Sequence, residues 1–521
     1  MRKKTDNKML TKYSSDRKFN VCYYGAIGNG KTLNTRSIQQ AIDTCHKDGG
    51  GVVYFPPGIY ITGTLFLKSN VTLHLETGSI LRGSIKKKDY YANPVSNYRK
   101  RTYRCLIYAN NIENIGICGR GIIDGMGQKF WTRKRINHPV AWAPKKYRPR
   151  VLMYFENCRN ILLRDITIHN SPSWTVWMLG CDIGNIHGIT ILNHRKGPNT
   201  DGLDIDCCSN IHISDCHIDA GDDCIAIKSD AGGLKRNKPC ENITVTNCTL
   251  SSTACAIRVG YEGDSVIKNC VFSNLVIFDS HIGIDLISIL PVKRPGSHIE
   301  KGCPIENVRF SNIVMEGVQR AIFVWMGIER RGDFKGRIKN IAFTDIIAKT
   351  TNSSYISGAE NKWIDCVELR NVNLIMQGEM KCEPNDEQGI WGFDRMPYGL
   401  YCQRIYGLKL IDVHVEMEKV KGDWLNPIRC RKIDGLEIRG FNGKAIKGKQ
   451  TVAAIQIEDV RHAFISSCRS IAGMYTFLNI TGKESEKISV IGNDLSGVKK
   501  AFEFGKSFDK KNLFEAVNKL D

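Results

Sequence analysis

The sequence of 521 residues lacks any long apolar run and has few prolines. A membrane-spanning helix needs about 20 consecutive apolar residues, and no such run occurs, so we predict no membrane partner. The 15 prolines are outnumbered by 48 glycines, which favours tight turns over proline-rich linkers. The basic N-terminus is not followed by the apolar segment of a secretory signal. We therefore predict a cytoplasmic protein, or a secreted or periplasmic one whose signal has been removed.

The 20 cysteines lack the paired Cys-x-x-Cys spacing that is typical of structural zinc sites. Many stand at the ends of strand-like segments, which predicts buried, reduced thiols that pack as small apolar side chains. A zinc site is a weaker alternative in one segment, which contains Cys207, Cys208, His212, Cys216 and His217. We predict no metal and no cofactor.

Negative charge is scarce, since 74 lysines and arginines face 53 acidic residues and give a net charge of +21. Basic clusters occur at residues 99–101, 133–135 and 145–150. Solvated loops explain such clusters as well as an acidic partner does. Because no nucleic-acid-binding signature accompanies the charge, we predict an oligo- or polysaccharide substrate of acidic character and no nucleic acid. The oligomeric state stays open.

A unit made of a polar corner residue and an alternating apolar strand recurs along the chain. The corner residue is usually asparagine, as in Asn160, Asn185, Asn210, Asn242, Asn307, Asn340 and Asn371. Repeats of about this length indicate a solenoid, and no long amphipathic helices separate the strands, which excludes a βαβ array. The pattern predicts an all-β parallel β-helix, because the leucine spacing of leucine-rich repeats is absent.

The first coil of a solenoid needs a cap, or it would expose a sheet edge. Residues 35–45 are amphipathic and predict an N-terminal cap helix. Residues 25–32 match the phosphate-loop pattern, but no βαβ unit follows, so a turn beside the cap is favoured. We predict a basic tail over residues 1–18 and a single β-helix domain over residues 19–521, with the cap region at 19–60.

Three carboxylates stand in two short motifs 21 residues apart, Asn199-Thr200-Asp201-Gly202 and Gly221-Asp222-Asp223-Cys224. On neighbouring coils, stacked about 4.8 Å apart, these groups would meet on one face and raise one another's pKa. Cleavage of a glycosidic bond needs a protonated and an ionised carboxyl group side by side. The alternative is turn chemistry, which we expect for Asp204 and Asp206 unless they face solvent on a strand.

Because of these motifs, residues 19–310 resemble glycoside hydrolase family 28, the polygalacturonase-like enzymes. The rest of the chain resembles this family more loosely. The matching segments are residues 28–32, 51–58, 171–174, 199–202 and 221–224. The resemblance implies a right-handed, single-stranded parallel β-helix and inverting hydrolysis. It also implies that Asp222 is the general acid and that Asp201 and Asp223 position the attacking water.

Two motifs of that family are missing here. Residues 252–260 replace its Gly-His-Gly motif without a histidine, and residues 281–286 replace its Arg-Ile-Lys strand without either cation. That strand grips the substrate carboxylate in the family. We expect Lys228, Arg258 or a loop base to take its place, or the cleaved sugar to be neutral, such as rhamnose.

Other substrate-binding candidates lie near the carboxylates in sequence or on long loops. Asn199 precedes Asp201, Trp174 would offer a platform for sugar stacking, and His194 would line the cleft. Tyr261 lies on a loop, where specificity residues accumulate, as do the weaker candidates Arg195, Glu262 and Tyr398.

These features predict an O-glycosyl hydrolase that cleaves galacturonide or rhamnose linkages in pectic or related cell-wall oligosaccharides. One alternative is a β-helical polysaccharide lyase, which needs an arginine or lysine base and often calcium. Another is a non-catalytic, tailspike-like carbohydrate-binding protein. A cleft blocked at one end by residues 126–150 would indicate exo action, and an open cleft would indicate endo action.

Overall fold

The computed structural model describes residues 18–92, 104–135, 141–234, 236–293, 299–381, 396–417, 420–443, 452–470 and 474–520. Its strands run parallel and wind into a right-handed β-helix, which confirms the predicted all-β fold. Successive coils stack strand on strand along three faces, called faces 1, 2 and 3 below. Strands are numbered in chain order, and stacking runs from the first to the last, which supports our proposal of a single domain.

Face 1 carries the strands that follow the two acidic motifs. It consists of β5 (Leu65–Phe66), β8 (Ile107–Asn110), β13 (Val151–Glu156), β16 (Trp174–Leu179), β19 (Leu203–Asp206), β22 (Ile225–Ser229), β25 (Cys255–Gly263), β27 (Ile282–Leu290), β29 (Arg320–Ile328), β31 (Ser354–Ser357), β38 (Thr476–Thr481) and β40 (Lys500–Phe504). Face 2 consists of β1 (Lys18–Asn20), β3 (Gly51–Phe55), β6 (Val71–Leu75), β9 (Glu113–Gly119), β14 (Arg159–Arg164), β17 (Asp182–His187), β20 (Ser209–Ser214), β23 (Cys240–Thr246), β39 (Glu486–Ile491) and β41 (Leu513–Ala516).

Face 3 consists of β2 (Asn29–Leu33), β4 (Gly58–Thr62), β7 (Ser79–Gly83), β10 (Ile122–Asp124), β15 (Thr167–His169), β18 (Thr190–Leu192), β21 (His217–Ala220) and β24 (Thr249–Ser252). Longer strands bend from one face to the next, namely β26 (Ile267–Phe278), β28 (Pro304–Val318), β30 (Arg337–Thr350), β32 (Ile364–Met376), β34 (Leu400–Glu416), β36 (Ile428–Arg439) and β37 (Ala453–Ser466). Two pairs lie outside the coils, antiparallel β11 (Trp131–Arg135) with β12 (Trp142–Pro144), and parallel β33 (Gly378–Met380) with β35 (Val420–Gly422).

The cap helix α1 spans Thr35–Lys47, two residues longer than predicted. Its buried residues follow the spacing of one helix face, and they are Ile38, Ala41, Ile42 and Cys45. The phosphate-loop-like segment before it contains strand β2, and Asn29 Oδ1 accepts from the backbone N–H groups of Lys31 and Thr32, both at 2.9 Å. Because these N–H groups are satisfied within the turn, they form no phosphate cradle.

Short 3₁₀ helices occur at Val21–Tyr24, Lys87–Asp89, Gly127–Phe130, Ala231–Gly233 and Lys510–Asn512. No helix in the described residues is long and apolar enough to cross a membrane. The predicted basic tail, except Lys18, and the cluster at residues 99–101 lie outside the described residues.

The recurring asparagines form a hydrogen-bonded ladder at the start of the face 2 strands. Each amide donates from Nδ2 to Oδ1 of the asparagine one coil earlier, over 2.7–3.3 Å, in the series Asn210, Asn242, Asn269, Asn307 and Asn340. All five have φ between 56° and 59°. Asparagine suits this place because it tolerates the left-handed region and its amide both donates and accepts.

Two of the predicted corner asparagines lie elsewhere. Asn185 sits inside β17, where Ile183 holds the left-handed corner instead. Asn371 lies at the corner between faces 2 and 3, where its Nδ2 donates to Asp345 Oδ1 at 2.6 Å. The predicted repeat is therefore present, but the asparagine pattern in the sequence combines residues from two different corners of the coil.

We expect Asn269→Ala to lower the free energy of unfolding by about 1–2 kcal/mol, because alanine disfavours the left-handed region and ends the ladder. Asn269→Gly keeps that backbone conformation and loses only the ladder, so its loss should be smaller. Urea unfolding of the three proteins measures both differences. Indistinguishable midpoints would show that the ladder contributes nothing to stability.

Candidate active site

The three acidic residues lie where the chain passes from face 3 to face 1 on two successive coils. The connection from β18 to β19 carries Asp201, and the connection from β21 to β22 carries Asp222 and Asp223. Since β19 and β22 pair with Leu203 opposite Ile225, the two connections stack directly. One oxygen from each of the three carboxylates lies within 4.8 Å of the other two.

Burial and mutual repulsion hold protons on this cluster. Asp201 and Asp223 are 4% and 5% exposed. Burial, followed by the charges of Asp204 and Asp222, raises the pKa of Asp201 well above its usual range. Burial and then Asp223 raise the pKa of Asp222 to about 7, although Arg258 and Lys228 act in the opposite direction. Asp222 can therefore donate a proton near neutral pH.

Hydrogen bonds orient Asp222 at the centre of the cluster. Its Oδ1 accepts from the backbone N–H of Asp223 at 3.1 Å, and its Oδ2 accepts from Asn199 Nδ2 at 3.4 Å. Asn199 is itself oriented by Arg148, whose Nη2 donates to the amide oxygen at 2.8 Å. The hydroxyl of Ser252, in the stretch that replaces the Gly-His-Gly motif, donates to the backbone carbonyl of Asp222 and not to its carboxylate.

Lys228 is enclosed by carboxylates. Its Nζ lies 2.6 Å from Asp204 Oδ1, 2.9 Å from Glu262 Oε2 and 3.7 Å from Asp201 Oδ2. The ammonium also lies 4.1 Å from the ring centre of Trp174. Burial opposes its charge, but Asp204, Glu262 and Asp201 together raise the pKa of Lys228 well above its ordinary value.

The prediction that Asp204 and Asp206 are turn or solvent-facing residues is wrong. Both are fully buried on β19, where the alternation Leu203-Asp204-Ile205-Asp206 turns them away from the apolar core. Asp206 stands opposite Lys228 in the strand register. Burial raises the pKa of Asp204 to about 6 despite the contact with Lys228.

Arg258 bridges two acids on different coils. Its Nε lies 2.5 Å from Asp223 Oδ2, and its Nη1 lies 2.9 Å from Asp285 Oδ2. Asp285 belongs to the stretch that replaces the Arg-Ile-Lys strand, and it is paired in register with Arg258. Burial opposes the charge, but Asp223 and then Asp285 help raise the pKa of Arg258 well above its ordinary value.

A cavity of about 220 Å³ opens above these groups. It is lined by Arg148, Arg150, Ser173, Trp174, Asn199, Asp201, Asp222, Lys228, Tyr261 and Glu262. Most of these residues are predicted from the sequence as site residues, but Arg148 and Arg150 appear there only as part of a basic cluster. An Arg-Pro-Arg segment directly before a buried strand was the available signal.

His194 and Arg195 do not line this cavity. The imidazole of His194 packs 4.6 Å from the ring of Trp142 in the β11–β12 hairpin. Arg195 donates to Asp219 and to the hydroxyl of Ser251, so it holds the connection against the next coils.

The weaker zinc alternative is not supported by the part of the chain that the structure describes. There the side chains with metal-ligand spacing are Asp201, Asp222 and Asp223, whereas Cys207, Cys208 and Cys216 are buried separately as free thiols. Lys228 and Arg258 already balance charge around the acidic trio, which disfavours an additional cation.

We expect Lys228→Met to lower the free energy of unfolding by about 3–5 kcal/mol, because it leaves buried carboxylates without their counter-charge. Without that counter-charge the pKa of Asp204 rises further, so protonation relieves the defect and the loss shrinks from about pH 8 to about pH 5. Urea unfolding at both pH values measures this. The double variant Lys228→Met/Asp204→Asn is the control and should regain part of the loss; equal instability at both pH values would argue against the charge explanation.

Comparison with known proteins matches two family models to this chain. The model described as glycosyl hydrolases family 28 matches residues 62–386. A second model, described as rhamnogalacturonase A/epimerase, pectate lyase-like, matches residues 18–93, the cap and first coils.

A probable polygalacturonase of Vitis vinifera is 32% identical over 393 residues, covering 70% of this chain and 77% of the relative. An exo-poly-alpha-D-galacturonosidase of Dickeya chrysanthemi is 26% identical, covering 57% of this chain and 56% of the relative. The crystal structure of an exopolygalacturonase from Thermotoga maritima shares the fold, with a TM-score of 0.60 and 24% identity over 69% of this chain and 87% of that one. Since the first family model covers more than half of the chain, the protein is a glycosyl hydrolase that belongs to glycosyl hydrolase family 28.

Proposed function

We propose that the protein hydrolyses α-glycosidic bonds in pectic or related acidic oligosaccharides, with galacturonide linkages favoured over rhamnose linkages. The observation that carries this proposal is the cluster of Asp201, Asp222 and Asp223 within 4.8 Å, of which Asp201 and Asp222 line one cavity. The relatives named polygalacturonase support the pectic substrate.

Asp222 is the general acid in this proposal. Its pKa of about 7 keeps it protonated in weakly acidic solution, and it lies on the cavity wall, where a glycosidic oxygen can reach it. Protonation of that oxygen lets the bond to the anomeric carbon break as the leaving sugar departs.

Asp201 and Asp223 position the attacking water. Asp201 Oδ1 is buried at the cavity and has no hydrogen-bond partner within the described protein, so a water can donate to it. Asp223 is held in place by Arg258 and by the backbone N–H of Cys255. The close spacing of the carboxylates does not itself favour inversion, which usually goes with about 6.5–9.5 Å; the family resemblance supports it.

Arg148 is the cation best suited to hold a substrate carboxylate. Lys228 and Arg258 already contact protein carboxylates, whereas Arg148 donates to two backbone carbonyls and to Asn199. Burial, and then the nearby Arg150, lowers the pKa of Arg148 to about 10. A uronate in the cavity would compensate this buried charge, which favours a galacturonide over a neutral sugar.

The lyase alternative is less well supported, because the cations at the cavity carry their charge near neutral pH, Arg148 with a pKa of about 10 included. A lyase needs an uncharged arginine or lysine to remove a proton, and carboxylates raise the pKa of both Lys228 and Arg258. A non-catalytic binding protein would not need a crowded acidic trio at the cavity, since such crowding costs stability.

We also propose a reducing compartment, such as the cytoplasm, as the place of action. Every cysteine among the described residues is a free thiol, and most are buried in the core. Disulfides are the usual device of proteins exposed to oxidising surroundings.

We expect Asp222→Asn to lower kcat about 10²–10⁴-fold on oligogalacturonides, because the amide cannot donate the acidic proton. Asp215→Asn, on an exposed coil corner, is the matched control and should keep wild-type activity. Mass spectrometry measures product release, and NMR identifies the anomer that forms first. Equal release by the wild type and Asp222→Asn would remove Asp222 from the mechanism.

The pH profile should report the protonated acid. Since Asp222 must carry its proton, kcat/KM should fall as pH rises through about 7. Arg258 lowers the pKa of Asp222, so Arg258→Gln should move this basic limb to higher pH, whereas a merely structural defect would lower the rate without moving it. Initial rates across the pH range, with Arg195→Gln as the control, measure the shift.

A further inference from the structure

The outward side chains of face 1 form one column along the solenoid. The column is aromatic in the earlier coils, mainly charged in the middle and aromatic again in the later coils. Its middle part consists of Asp204, Ala226, Arg258 and Asp285, three of which are charged. On the side of the earlier coils, Asp204 stands beside Trp177. On the side of the later coils, Asp285 stands beside Phe323. The charged section beneath the cavity is thus bounded by aromatic residues at both ends.

The earlier coils are closed by stacked rings. Trp177 lies 4.4 Å from Tyr154 at an interplanar angle of 9°, and Trp174 meets Trp177 edge-on at 5.2 Å. Tyr154, Trp177 and Leu179 are fully buried although they point away from the apolar core, and Leu234 from a neighbouring connection packs against them. These side chains are covered by protein, so a sugar cannot contact them directly.

The later coils are closed in the same way. Phe323, Tyr355 and Tyr401 stack at 5.8 and 5.3 Å between ring centres, and each is at most 1% exposed. Met396 and Tyr398, from the connection before β34, belong to the same buried cluster. This aromatic cluster lies on the part of face 1 where a polymer would bind if the cavity were an open groove.

The β11–β12 hairpin adds a third boundary beside the cavity. Trp131 Nε1 donates to the carbonyl of Pro172 at 2.9 Å, and the N–H of Trp142 donates to the carbonyl of Lys196 at 2.8 Å. These contacts fix the hairpin against the connections that carry Ser173 and Asn199. Residues 136–140, between the two strands in sequence, lie outside the described residues.

We propose that the catalytic cavity is a closed pocket that accepts only a chain end, so the enzyme is exo-acting and prefers short acidic oligosaccharides. This inference rests on the hydrolase function proposed above. A groove enzyme binds several sugars on each side of the cleaved bond, and here buried aromatic residues occupy face 1 on both sides of the acidic trio. The pocket volume of about 220 Å³ also suits few sugar units.

The test compares polygalacturonate with the same material shortened about tenfold, at equal mass and below saturation. Because an exo enzyme acts on ends, its initial rate should rise about tenfold with the shorter chains. The first products should have one size, and viscosity should fall only late. An early loss of viscosity with products of mixed length would overturn the pocket while leaving the hydrolase function intact.

A binding measurement keeps the inference testable without turnover. Titration calorimetry of Asp222→Asn at high salt, which screens non-specific attraction to the polyanion, counts protein molecules per chain. A pocket binds once per chain end whatever the chain length, whereas a count that grows with length would overturn the inference. Neither binding nor cleavage of any pectic chain would instead overturn the proposed substrate, and the inference with it.

Discussion

Parallel strands in register stack the side chains of successive coils about 4.8 Å apart, so charged groups placed on one column must neutralise one another. The site of this enzyme is built on that constraint. Asp204, Lys228, Arg258 and Asp285 follow one another across the outward surface of face 1, all of them largely buried. Each cation touches acids on the two neighbouring coils, and the proposed catalytic carboxylates stand at the edge of this network.

The network places its two cations unevenly around the acidic trio. Arg258 places its charge against Asp223, and Lys228 places its charge nearest Asp204. Asp222 contacts neither cation within ion-pair distance among the described residues, and burial together with Asp223 raises its pKa to about 7. Burial also raises the pKa of Asp201 well above its usual range, whereas Asp223 is the member of the trio that contacts Arg258.

The ion-pair network also gives a role to the residues that replace the Arg-Ile-Lys strand of the family. An acid, Asp285, stands in the stretch that replaces the Arg-Ile-Lys strand, and the arginine comes from the preceding coil as Arg258. This exchange keeps an ion pair at the same level of the solenoid but turns the guanidinium towards Asp223. In the proposed function a substrate carboxylate is instead met by Arg148, which lines the cavity together with Arg150.

The sequence by itself determined the solenoid and the acidic trio, because both are written in local patterns. Alternating strands, left-handed asparagine corners and two motifs about one coil apart need only the regular stacking of coils to define their positions. The roles of Asp204 and Arg148, and the burial of the aromatic clusters on face 1, depend on the tertiary structure alone. Their roles depend on partners tens of residues away, such as Lys228 for Asp204 and Asn199 for Arg148, and on which outward faces neighbouring segments cover. The sequence carries no periodic pattern that identifies these contact partners or the segments that cover an outward face. Only the folded structure therefore distinguishes a buried charge from a solvent-facing one.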